Sequence, residues 1–353
     1  MILFTCRTDL LPMTRPTIHD VARAAGVSLS TVDRVLNDRV GVRHATQIRV
    51  AQAMRELGFE RNAAAANLAR RRQDRLLFIL PAGSNSFMRG LERELTQRSE
   101  AWEFTSIAVQ VVPAFDDVAL ARTLHAVDPG ATDGVAVVAT DSPVVRAALA
   151  ELRERGVAVV TLVSDLPSSR RQHFVGIDNV QAGRTAASLL GRFCRGRSGK
   201  IVIVAGSMLV RDHAERRLGF EQVLRAEFPD QQILPPLEGR DDRDIVEAEL
   251  DRVLRQQPDV TGIYSLGAGT RGVARALAGL ASGAPRPSVV VHDLTPHSRQ
   301  ALLEGSFDAV IHQDPVREIS AAVSLLQSLV RGQPVDPDAG RIGIEVFLRD
   351  NLP

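Results

Sequence analysis

From Leu76 onward the chain alternates short runs of apolar, mostly β-branched residues with longer amphipathic stretches. Apolar runs of about four to eight residues are typical of strands buried on both faces. The amphipathic stretches between them are typical of helices that cover those faces, so the pattern predicts parallel sheets flanked by helices, an α/β fold. The clearest runs are LLFIL at 76–80, GVAVV at 134–138, VAVVTLV at 157–163, IVIVA at 201–205, VTGIYSL at 260–266 and PSVVVHD at 287–293.

Residues 1–75 follow a different pattern and carry a different charge. From Thr17 to about Leu57 the apolar residues are spaced as on helices, with breaks at Gly26 and around Gly41, which predicts a compact three-helix unit. Thirteen arginines and seven Asp or Glu residues give residues 1–75 a net charge of +6, which leaves −5 for the rest of a chain whose total is +1. A basic unit on an acidic body indicates a module that binds a polyanion.

The caps and small residues of this unit predict a helix-turn-helix. Thr17, with an acidic residue three places on, marks a helix start, and Gly26 ends that helix where a positive φ is needed. Ser28 then caps a second helix, residues 29–36. An apolar side chain at Val32, six residues after Gly26, suits two helices that cross over a tight turn. The alternative is an ordinary helical hairpin without a DNA-binding role.

A helix-turn-helix places its second helix in the major groove of DNA, where the exposed side chains near its start meet the bases. Here these side chains are Leu29, Ser30, Asp33 and Arg34. Arg34 can donate two hydrogen bonds to guanine, Leu29 can touch a thymine methyl group, and Asp33 can accept from cytosine.

The run TIHDVARAAGVSLSTVDRVLN at 17–37 resembles the head of the LacI/GalR family of bacterial transcription repressors. The resemblance implies that Leu29, Ser30 and Arg34 read a pseudo-palindromic double-stranded DNA operator as part of a homodimer, with a tetramer as an alternative. The family usually has Ser at the position of Asp33. The DNA-binding residues expected in full are Thr17, Ser28, Leu29, Ser30, Thr31, Asp33, Arg34, Asn37, Asn62 and Leu68.

The segment RNAAAANL at 61–68 resembles the hinge helix of that family, which folds on the operator and pairs with its dimer mate. So short a helix is marginal alone, so folding coupled to DNA binding is physically reasonable. Leu68 occupies the position of the leucine that wedges into the minor groove; the alternative is that it packs on the body. Arg61 replaces the Pro of the family pattern and Ala66 replaces its Arg.

The resemblance continues, more weakly, through the body to the effector domain of the family and to type I periplasmic sugar-binding proteins. It implies a helix-turn-helix domain at 14–60, a hinge at 61–74, and an effector-binding and dimerisation domain at 75–353 with two lobes of parallel sheets. Lobe 1 is expected at about 75–177 and 313–334, and lobe 2 at about 178–312 and 335–353. Residues 1–13 are expected to be a disordered extension or to precede the true start at Met13.

A ligand between two such lobes lies at the carboxyl ends of the strands. The resemblance implies that Asn85 hydrogen-bonds the ligand, that Phe87 stacks on it, and that Asp178 and Arg216 bind its hydroxyl groups. The alternative for each polar residue is a helix cap or a surface ion pair. Leu266-Gly267 and Arg240-Asp241-Asp242 depart from the family pattern, so the sugar, polyol or sugar derivative is expected to be more polar than a pentose or held differently. The ligand-binding residues expected in full are Asn85, Phe87, Met88, Asp178, Arg216, Gly267, Asp293 and Gln313.

A formal dinucleotide motif provides the main alternative function. The residues Gly267–Gly272 match G-x-G-x-x-G between a strand and a helix, with Asp293 about 20 residues later. This pattern suits a pyrophosphate at a helix start and would make the chain a nicotinamide-cofactor enzyme or redox sensor. Behind a repressor-like head it is the weaker interpretation, and the sequence contains no H-E-x-x-H, G-x-S-x-G or C-x-x-C. We therefore expect no enzyme activity, cofactor or metal.

Two further expectations concern the location of the protein and a third candidate function. No apolar run approaches the length of a membrane span, and residues 1–11 are too short and broken for a secretory signal, so a cytoplasmic protein without membrane contact is expected. A free sugar-binding transport protein, the third candidate, is opposed by the basic head and the missing signal peptide.

Overall fold

The computed structural model of the chain describes residues 16–36, 41–59, 73–98, 101–102, 104–281 and 285–353. The chain divides into two compact units, residues 1–72 and residues 73–353. Across these described ranges, every helix is too short or too polar to cross a membrane.

The first unit contains three helices: α1 (Ile18–Ala25), α2 (Leu29–Leu36) and α3 (His44–Leu57). Gly26 and Gly58, both with φ of 61°, end α1 and α3 in the left-handed region that favours glycine. The structure confirms the predicted three-helix unit. Its small core consists of Val21, Ala22, Ala25, Val32, Val50 and Ala53.

Short-range hydrogen bonds define where the first two helices begin. Asp20 accepts from the backbone N–H of Thr17 at 2.9 Å and from its hydroxyl at 2.7 Å, and these bonds lower the pKa of the Asp20 carboxyl. The Oγ atom of Ser28 accepts from the backbone N–H of Thr31 at 3.2 Å. Thr17 and Ser28 therefore act as helix caps, as the sequence predicted.

The second unit begins with a lobe built on a parallel sheet, lobe 1. The sheet has the order β12-β5-β4-β3-β1-β2. Its strands are β1 (Asp74–Pro81), β2 (Thr105–Val112), β3 (Gly134–Val137), β4 (Ala158–Leu162), β5 (His173–Ile177) and β12 (Arg341–Ile342). Its helices are α4 (Ser86–Gln97), α5 (Asp117–His125), α6 (Pro143–Glu154) and α12 (Pro315–Val330).

Lobe 2 repeats this architecture. Its sheet has the order β13-β11-β10-β9-β6-β7, with β8 also paired to β6 and with β13 antiparallel to β11. The strands are β6 (Gly199–Ala205), β7 (Gln231–Ile233), β8 (Leu237–Glu238), β9 (Val260–Ser265), β10 (Ser288–His292), β11 (Ala309–His312) and β13 (Glu345–Phe347). The helices are α7 (Asn179–Phe193), α8 (Arg211–Glu227), α9 (Arg243–Gln256), α10 (Thr270–Ala278) and α11 (Pro296–Leu303), followed by a 3-10 turn at Arg349–Asn351.

Both sheets are covered on both faces, which is why their strands read as continuous apolar runs. In β1, Phe78 and Leu80 lie in one buried cluster with α4 and α12, whereas Ile79 lies in another with α5 and α6. In β6, Ile203 and Val204 divide between two clusters in the same way. The predicted α/β fold is confirmed, with one antiparallel edge strand in lobe 2.

The chain crosses between the lobes after Ile177, after His312, and between Ile342 and Glu345. The sequence placed the third crossing at residue 335, and that boundary is wrong. Strand β12 pairs with β5, and Val335 packs on the lobe 1 core. A two-residue strand has no apolar run of its own, so its membership is decided by the partner it meets.

Candidate functional site

The first candidate site is the exposed side of α2. Leu29 is 40% exposed at the start of this helix, and Ser30 and Arg34 are exposed beside it, while Val32 is completely buried. Ser30 and Arg34 are four places apart and share a helix face, and Leu29 borders that face at the start of α2, so these exposed side chains form one surface that a partner can reach. Asp33 is half-buried next to it.

Some of the side chains expected to bind DNA are hydrogen-bonded to one another, and others lie outside the described residues. The hydroxyl of Ser28 lies 2.9 Å from that of Thr31 and 3.1 Å from that of Ser30, in addition to capping α2. Asn37, Asn62 and Leu68, together with residues 1–13 and most of the hinge at 61–74, lie outside the described residues. Of the predicted surface, the structure therefore describes the part on α1 and α2.

The second candidate site is a cleft of about 790 Å³, open to solvent, between the two lobes of the second unit. It lies where β1, β3 and β4 of lobe 1 and the strands of lobe 2 end, because parallel strands bring their carboxyl ends to one edge. Of the eight residues predicted to bind ligand, seven line it: Asn85, Phe87, Met88, Arg216, Gly267, Asp293 and Gln313.

Asn85 connects the two sides of the cleft. Its Oδ1 atom accepts from the backbone N–H groups of Phe87 at 3.0 Å and Met88 at 3.2 Å, which caps α4. Its Nδ2 atom donates across the cleft to the Gly267 carbonyl oxygen at 3.2 Å and to Asp241 Oδ1 at 3.3 Å. The amide is thus fully used by protein atoms, so Asn85 positions the lobes in this arrangement instead of presenting a free group to ligand.

Arg216 is the central cation of the cleft. It is 1% exposed on α8, and its Nε atom donates to Asn179 Oδ1 at 2.8 Å while Nη1 donates to the Leu266 carbonyl oxygen at 2.7 Å. Its buried Nη2 atom has no acceptor among the described residues. The guanidinium is therefore held through Nε and Nη1, and its Nη2 amino group, with two N–H donors, stays available for ligand oxygens.

Gly267 makes room for this arginine. Its φ is 114°, and a Cβ atom there would lie 2.7 Å from Arg216 Nη1. Gly267, one of the residues that depart from the family pattern, is thus required by backbone conformation and by close packing.

Asp293 and Gln313 form a buried polar pair beside Arg216. Gln313 Nε2 donates to Asp293 Oδ1 at 3.0 Å, and Gln313 Oε1 has no donor in the described part of the chain. Burial raises the pKa of Asp293 to about 6, although Arg216 and the Gln313 bond act in the opposite direction. Near neutral pH the pair offers acceptors, which suit the hydroxyl groups of a ligand.

Glu318, on the first turn of α12, is completely buried next to this pair. Neither of its carboxyl oxygens has a partner within the described ranges. Burial and the neighbouring Asp293 raise the pKa of Glu318 well above its usual value, which favours the protonated form. Glu318 is not one of the residues that line the cleft.

Asp178 does not line the cleft, so its predicted contact with ligand is corrected. Its side chain is exposed, and its Oδ1 atom accepts from the backbone N–H of Gln181 at 2.9 Å as the cap of α7. The next residue, Asn179, is 2% exposed and binds Arg216. Asp178, the first residue after β5, caps α7, and the next residue, Asn179, faces α8. The buried, inward-facing residue is therefore Asn179 instead of Asp178.

Asp212 and His213 were missed by sequence reasoning. Both are buried in the cleft lining at the start of α8, and Asp212 Oδ1 has no donor among the described residues. His213 Nδ1 lies 3.1 Å from the Ser207 carbonyl oxygen. The sequence did contain a signal for these two residues, because residues three and four places before Arg216 lie on the same face of the helix as Arg216.

The side of the cleft formed by lobe 1 is mostly apolar. Phe115 and Val163 lie on it with φ of 60° and 65°, which is unusual for residues with a Cβ atom and occurs often at binding sites. An apolar wall opposite polar groups suits a ligand with one hydrophobic and one hydroxylated face. The other apolar lining residues of lobe 1 are Pro81, Ala82, Phe87, Met88, Val112, Pro113, Ala114, Leu120, Val138 and Ala139.

The glycines of the dinucleotide motif have local structural reasons. Gly269 has φ of 67°, and a Cβ atom there would lie 2.4 Å from a methyl carbon of Val246. At Gly272 a Cβ atom would lie 2.4 Å from the Arg243 carbonyl oxygen. These two glycines therefore serve the close packing of α10 on α9, and the geometry does not favour the nicotinamide alternative.

Among the histidines, His292 is buried against a tyrosine. His292 Nε2 lies 2.8 Å from the Tyr264 hydroxyl, and burial with nearby Arg216 lowers the pKa of His292 well below its usual value. No group of three or more His, Cys, Asp or Glu side chains in the described ranges is arranged to hold a metal ion.

Comparison with known proteins defines the class of both units. Residues 17–62 match the model of the bacterial regulatory proteins of the lacI family, and residues 76–334 match a periplasmic binding protein domain. The first unit therefore contains a domain of the lacI family of bacterial regulatory proteins, and the second unit, which makes up most of the chain, belongs to the periplasmic binding protein domain family. The resemblance seen in the sequence is confirmed.

Named relatives match parts of the chain. The HTH-type transcriptional regulator DegA of Bacillus subtilis (strain 168) is 28% identical over 178 residues, 50% of this chain and 52% of that protein. Catabolite control protein A of Streptococcus mutans serotype c is 27% identical over 214 residues, 59% of this chain and 60% of that protein. The sucrose operon repressor of Vibrio alginolyticus is 54% identical over 52 residues, 15% of this chain and 55% of that protein. The chain thus spans about half the length of the curated relatives it matches.

Solved structures share the fold. An ABC transporter solute binding protein from Burkholderia graminis C4D1M, in complex with D-arabinose, superimposes with a TM-score of 0.73 at 23% identity, covering 79% of this chain and 96% of that one. GanP, a glucose-galactose binding protein from Geobacillus stearothermophilus, gives a TM-score of 0.71 at 21% identity over 80% of this chain and 99% of that one. At these identities the likeness concerns the fold alone.

Proposed function

We propose that the chain is an effector-responsive transcription regulator that binds DNA sequence-specifically and acts as a repressor in the cytoplasm. The first unit would read a pseudo-palindromic operator as part of a homodimer, with a tetramer as the alternative assembly. A small sugar, polyol or sugar derivative would bind the cleft. We assign the chain no catalytic role.

The single observation that carries this proposal is the state of the polar atoms in the cleft. Arg216 Nη2, Asp212 Oδ1 and Gln313 Oε1 are buried without partners among the described residues. Leaving such atoms unpaired costs about 1–3 kcal/mol each, so a ligand that pairs them is strongly favoured. One donor group and two acceptors opposite an apolar wall match a hydroxylated ring.

The DNA-binding part of the proposal rests on α2. Its exposed Leu29, Ser30 and Arg34 are of the types that contact bases in the major groove. Because Val32 anchors the opposite side of α2 in the core, this surface is held rigidly enough to discriminate between base sequences.

Regulation would follow from differential binding. Asn85 and Ser84 of lobe 1 hydrogen-bond to Asp241 of lobe 2, with the Ser84 hydroxyl 2.7 Å from the Asp241 carbonyl oxygen. A ligand that also touches both lobes stabilises this closed arrangement and changes operator affinity by its preference for it.

The test begins with the full chain and a pool of random double-stranded DNA. Selection should enrich a pseudo-palindrome, and fluorescence anisotropy with that DNA should then detect a change of affinity when a bound sugar or polyol is added. The sugars are chosen by a thermal-shift screen of sugars, polyols, sugar acids and sugar phosphates. Failure to enrich any sequence, with a folded protein, would refute the regulator.

A further inference from the structure

A second pocket of about 430 Å³ opens beside the cleft. Asn85, Gly267 and Asp293 border both cavities, so one ligand can reach from the cleft into this side pocket. Lobe 1 contributes Ser86 to the side pocket, while lobe 2 contributes the start of α10 and Arg271. Its chemistry differs from that of the cleft.

Basic side chains gather around the side pocket. Arg243, Arg271 and His297 line it, and Arg89 on α4 lies close enough to Arg271 and His297 to help lower the pKa of both groups. Burial is the main cause that lowers the pKa of Arg271 and of His297, and the nearby cations add to it. Because Arg89 belongs to lobe 1 and Arg271 belongs to lobe 2, this arrangement of the lobes brings like charges together.

Arg271 has donor capacity to spare. Its Nη2 atom donates across the lobes to the Ser86 hydroxyl at 3.3 Å, but its Nε atom is buried and has no acceptor in the described part of the chain. An unpaired guanidinium N–H that is shielded from water is costly, and an oxyanion is the acceptor that pairs it best.

The start of α10 adds backbone donors. Gly269, the residue before the helix, has φ of 67°, and no side chain caps the helix there. The first N–H groups of a helix lack partners within it and favour a negative charge. The motif that resembles a dinucleotide site therefore places helix N–H groups at the same pocket as the guanidinium groups.

Two carboxylates also border the pocket, but their oxygens are partly engaged. Asp241 Oδ1 accepts from Asn85, and Asp293 Oδ1 accepts from Gln313. Burial raises the pKa of both carboxyls. Arg243 Nε lies 3.5 Å from Asp244 Oδ1, whereas Arg271 has a buried Nε atom without an acceptor among the described residues.

We infer that the side pocket binds an oxyanion, the phosphate or carboxylate group of the effector, with Arg271 as its main ligand. This rests on the proposed function of the cleft and narrows the effector to a sugar or polyol that carries an oxyanion. Its hydroxylated part would pair with Arg216, Asp293 and Gln313. The oxyanion would neutralise cations from both lobes and stabilise the closed arrangement.

Inorganic phosphate tests the pocket directly, without knowledge of the sugar. The full chain is titrated with phosphate in a thermal-shift assay at constant ionic strength, with chloride as the reference salt. We expect a saturable rise in melting temperature that R271Q removes. The matched control is R275Q, because Arg275 lies on the same helix one turn on but pairs with Asp244 and Glu247 outside the pocket. No saturable rise, or a rise that R271Q leaves unchanged, overturns the inference.

Matched ligand pairs then test the effector class by calorimetry. Ribose and ribose 5-phosphate, glucose and glucose 6-phosphate, and glucose and gluconate are compared on wild type and both variants. We expect R271Q to weaken binding of the oxyanion-bearing member about tenfold to hundredfold and to leave the neutral sugar unchanged. Preference for the phosphates identifies a sugar phosphate, and preference for gluconate identifies a sugar acid.

The two levels of the proposal fail differently. A neutral sugar that binds as tightly as its charged partner, with R271Q equal to wild type, overturns the oxyanion pocket and leaves the regulator standing. Loss of sequence-specific DNA binding in a folded protein overturns the regulator while the phosphate response can persist. Unfolding of R271Q is detected by circular dichroism, and R271K, which keeps the charge, should then retain part of the phosphate response.

Discussion

Asp293 should make the second unit less stable at neutral pH than at acidic pH. Its pKa is raised by burial from 3.8 to about 6, so the folded chain holds a proton that the unfolded chain has lost. Such a group contributes no penalty below about pH 4, and its penalty grows as the pH rises through 4 to 6 and is then constant. With about 1.4 kcal/mol for each pKa unit, ionised Asp293 costs about 3 kcal/mol above pH 7 and about 1.5 kcal/mol at pH 5.

The isosteric variant D293N removes the ionisation. Its side-chain oxygen can still accept from Gln313, whose Nε2 atom lies 3.0 Å from Asp293 Oδ1. We therefore expect D293N to raise the free energy of unfolding by up to about 3 kcal/mol at pH 7.5, and by about half of that at pH 5. The measurement is urea unfolding followed by the fluorescence of Trp102, the single tryptophan, which packs against the lobe 1 core of the same unit.

The matched control for D293N is D178N. Asp178 is exposed and caps α7, and Asn is an equally good cap, so its substitution should change the free energy of unfolding by less than about 0.5 kcal/mol at either pH. A D293N effect that is the same at pH 7.5 and pH 5, or that is destabilising at both, would show that Asp293 is ionised without penalty in the folded chain.

Four further substitutions test other parts of the molecule. R34A should weaken binding to the selected operator by about 1–3 kcal/mol and relax the preference for one base, measured by fluorescence anisotropy on single-base variants; equal affinity for all of them contradicts base reading by Arg34. R216M should abolish the effector response and spare DNA binding, measured by the same anisotropy with and without effector. G267A should lower the free energy of unfolding by about 1–3 kcal/mol, because φ of 114° suits only glycine and the new methyl group would meet Arg216; unchanged urea unfolding refutes this. D178A should cost about 1 kcal/mol of stability from the lost cap and keep the effector response, whereas loss of the response would restore Asp178 to the site.

The parts predicted correctly from the sequence share a physical basis. The three helices of the first unit follow from caps at Thr17 and Ser28, a glycine at Gly26 and apolar residues at helical spacing, all of which act between near neighbours. Strands buried on both faces likewise need continuous apolar runs, so β1 and β6 could be recognised as strands from the sequence. Strand β2 was less visible because only its ends are buried and its centre is half exposed.

The errors arose where one residue more or less changes a side chain's direction. Asp178 and Asn179 are adjacent, and the turn from β5 into α7 decides which of them points inward. The third lobe crossing depended on β12, two residues whose strand character comes only from pairing with β5. The local sequence contains little information about either feature, because each depends on an element distant in the sequence. Asn179 is held by Arg216 on α8, and β12 is a strand because it pairs with β5.

The sequence by itself determined the helix-turn-helix, the two-lobed α/β body, the family, and seven of the residues around the cleft, because these depend on periodicity, caps and motif order. The tertiary structure decided which polar atoms are hydrogen-bonded within the protein and which keep unused hydrogen-bonding capacity. Arg216 meets Leu266 fifty residues away, and Asn85 meets Gly267 across 182 residues. Hydrogen-bond capacity left over after such long-range contacts is what a ligand can use, and only the folded chain reveals it.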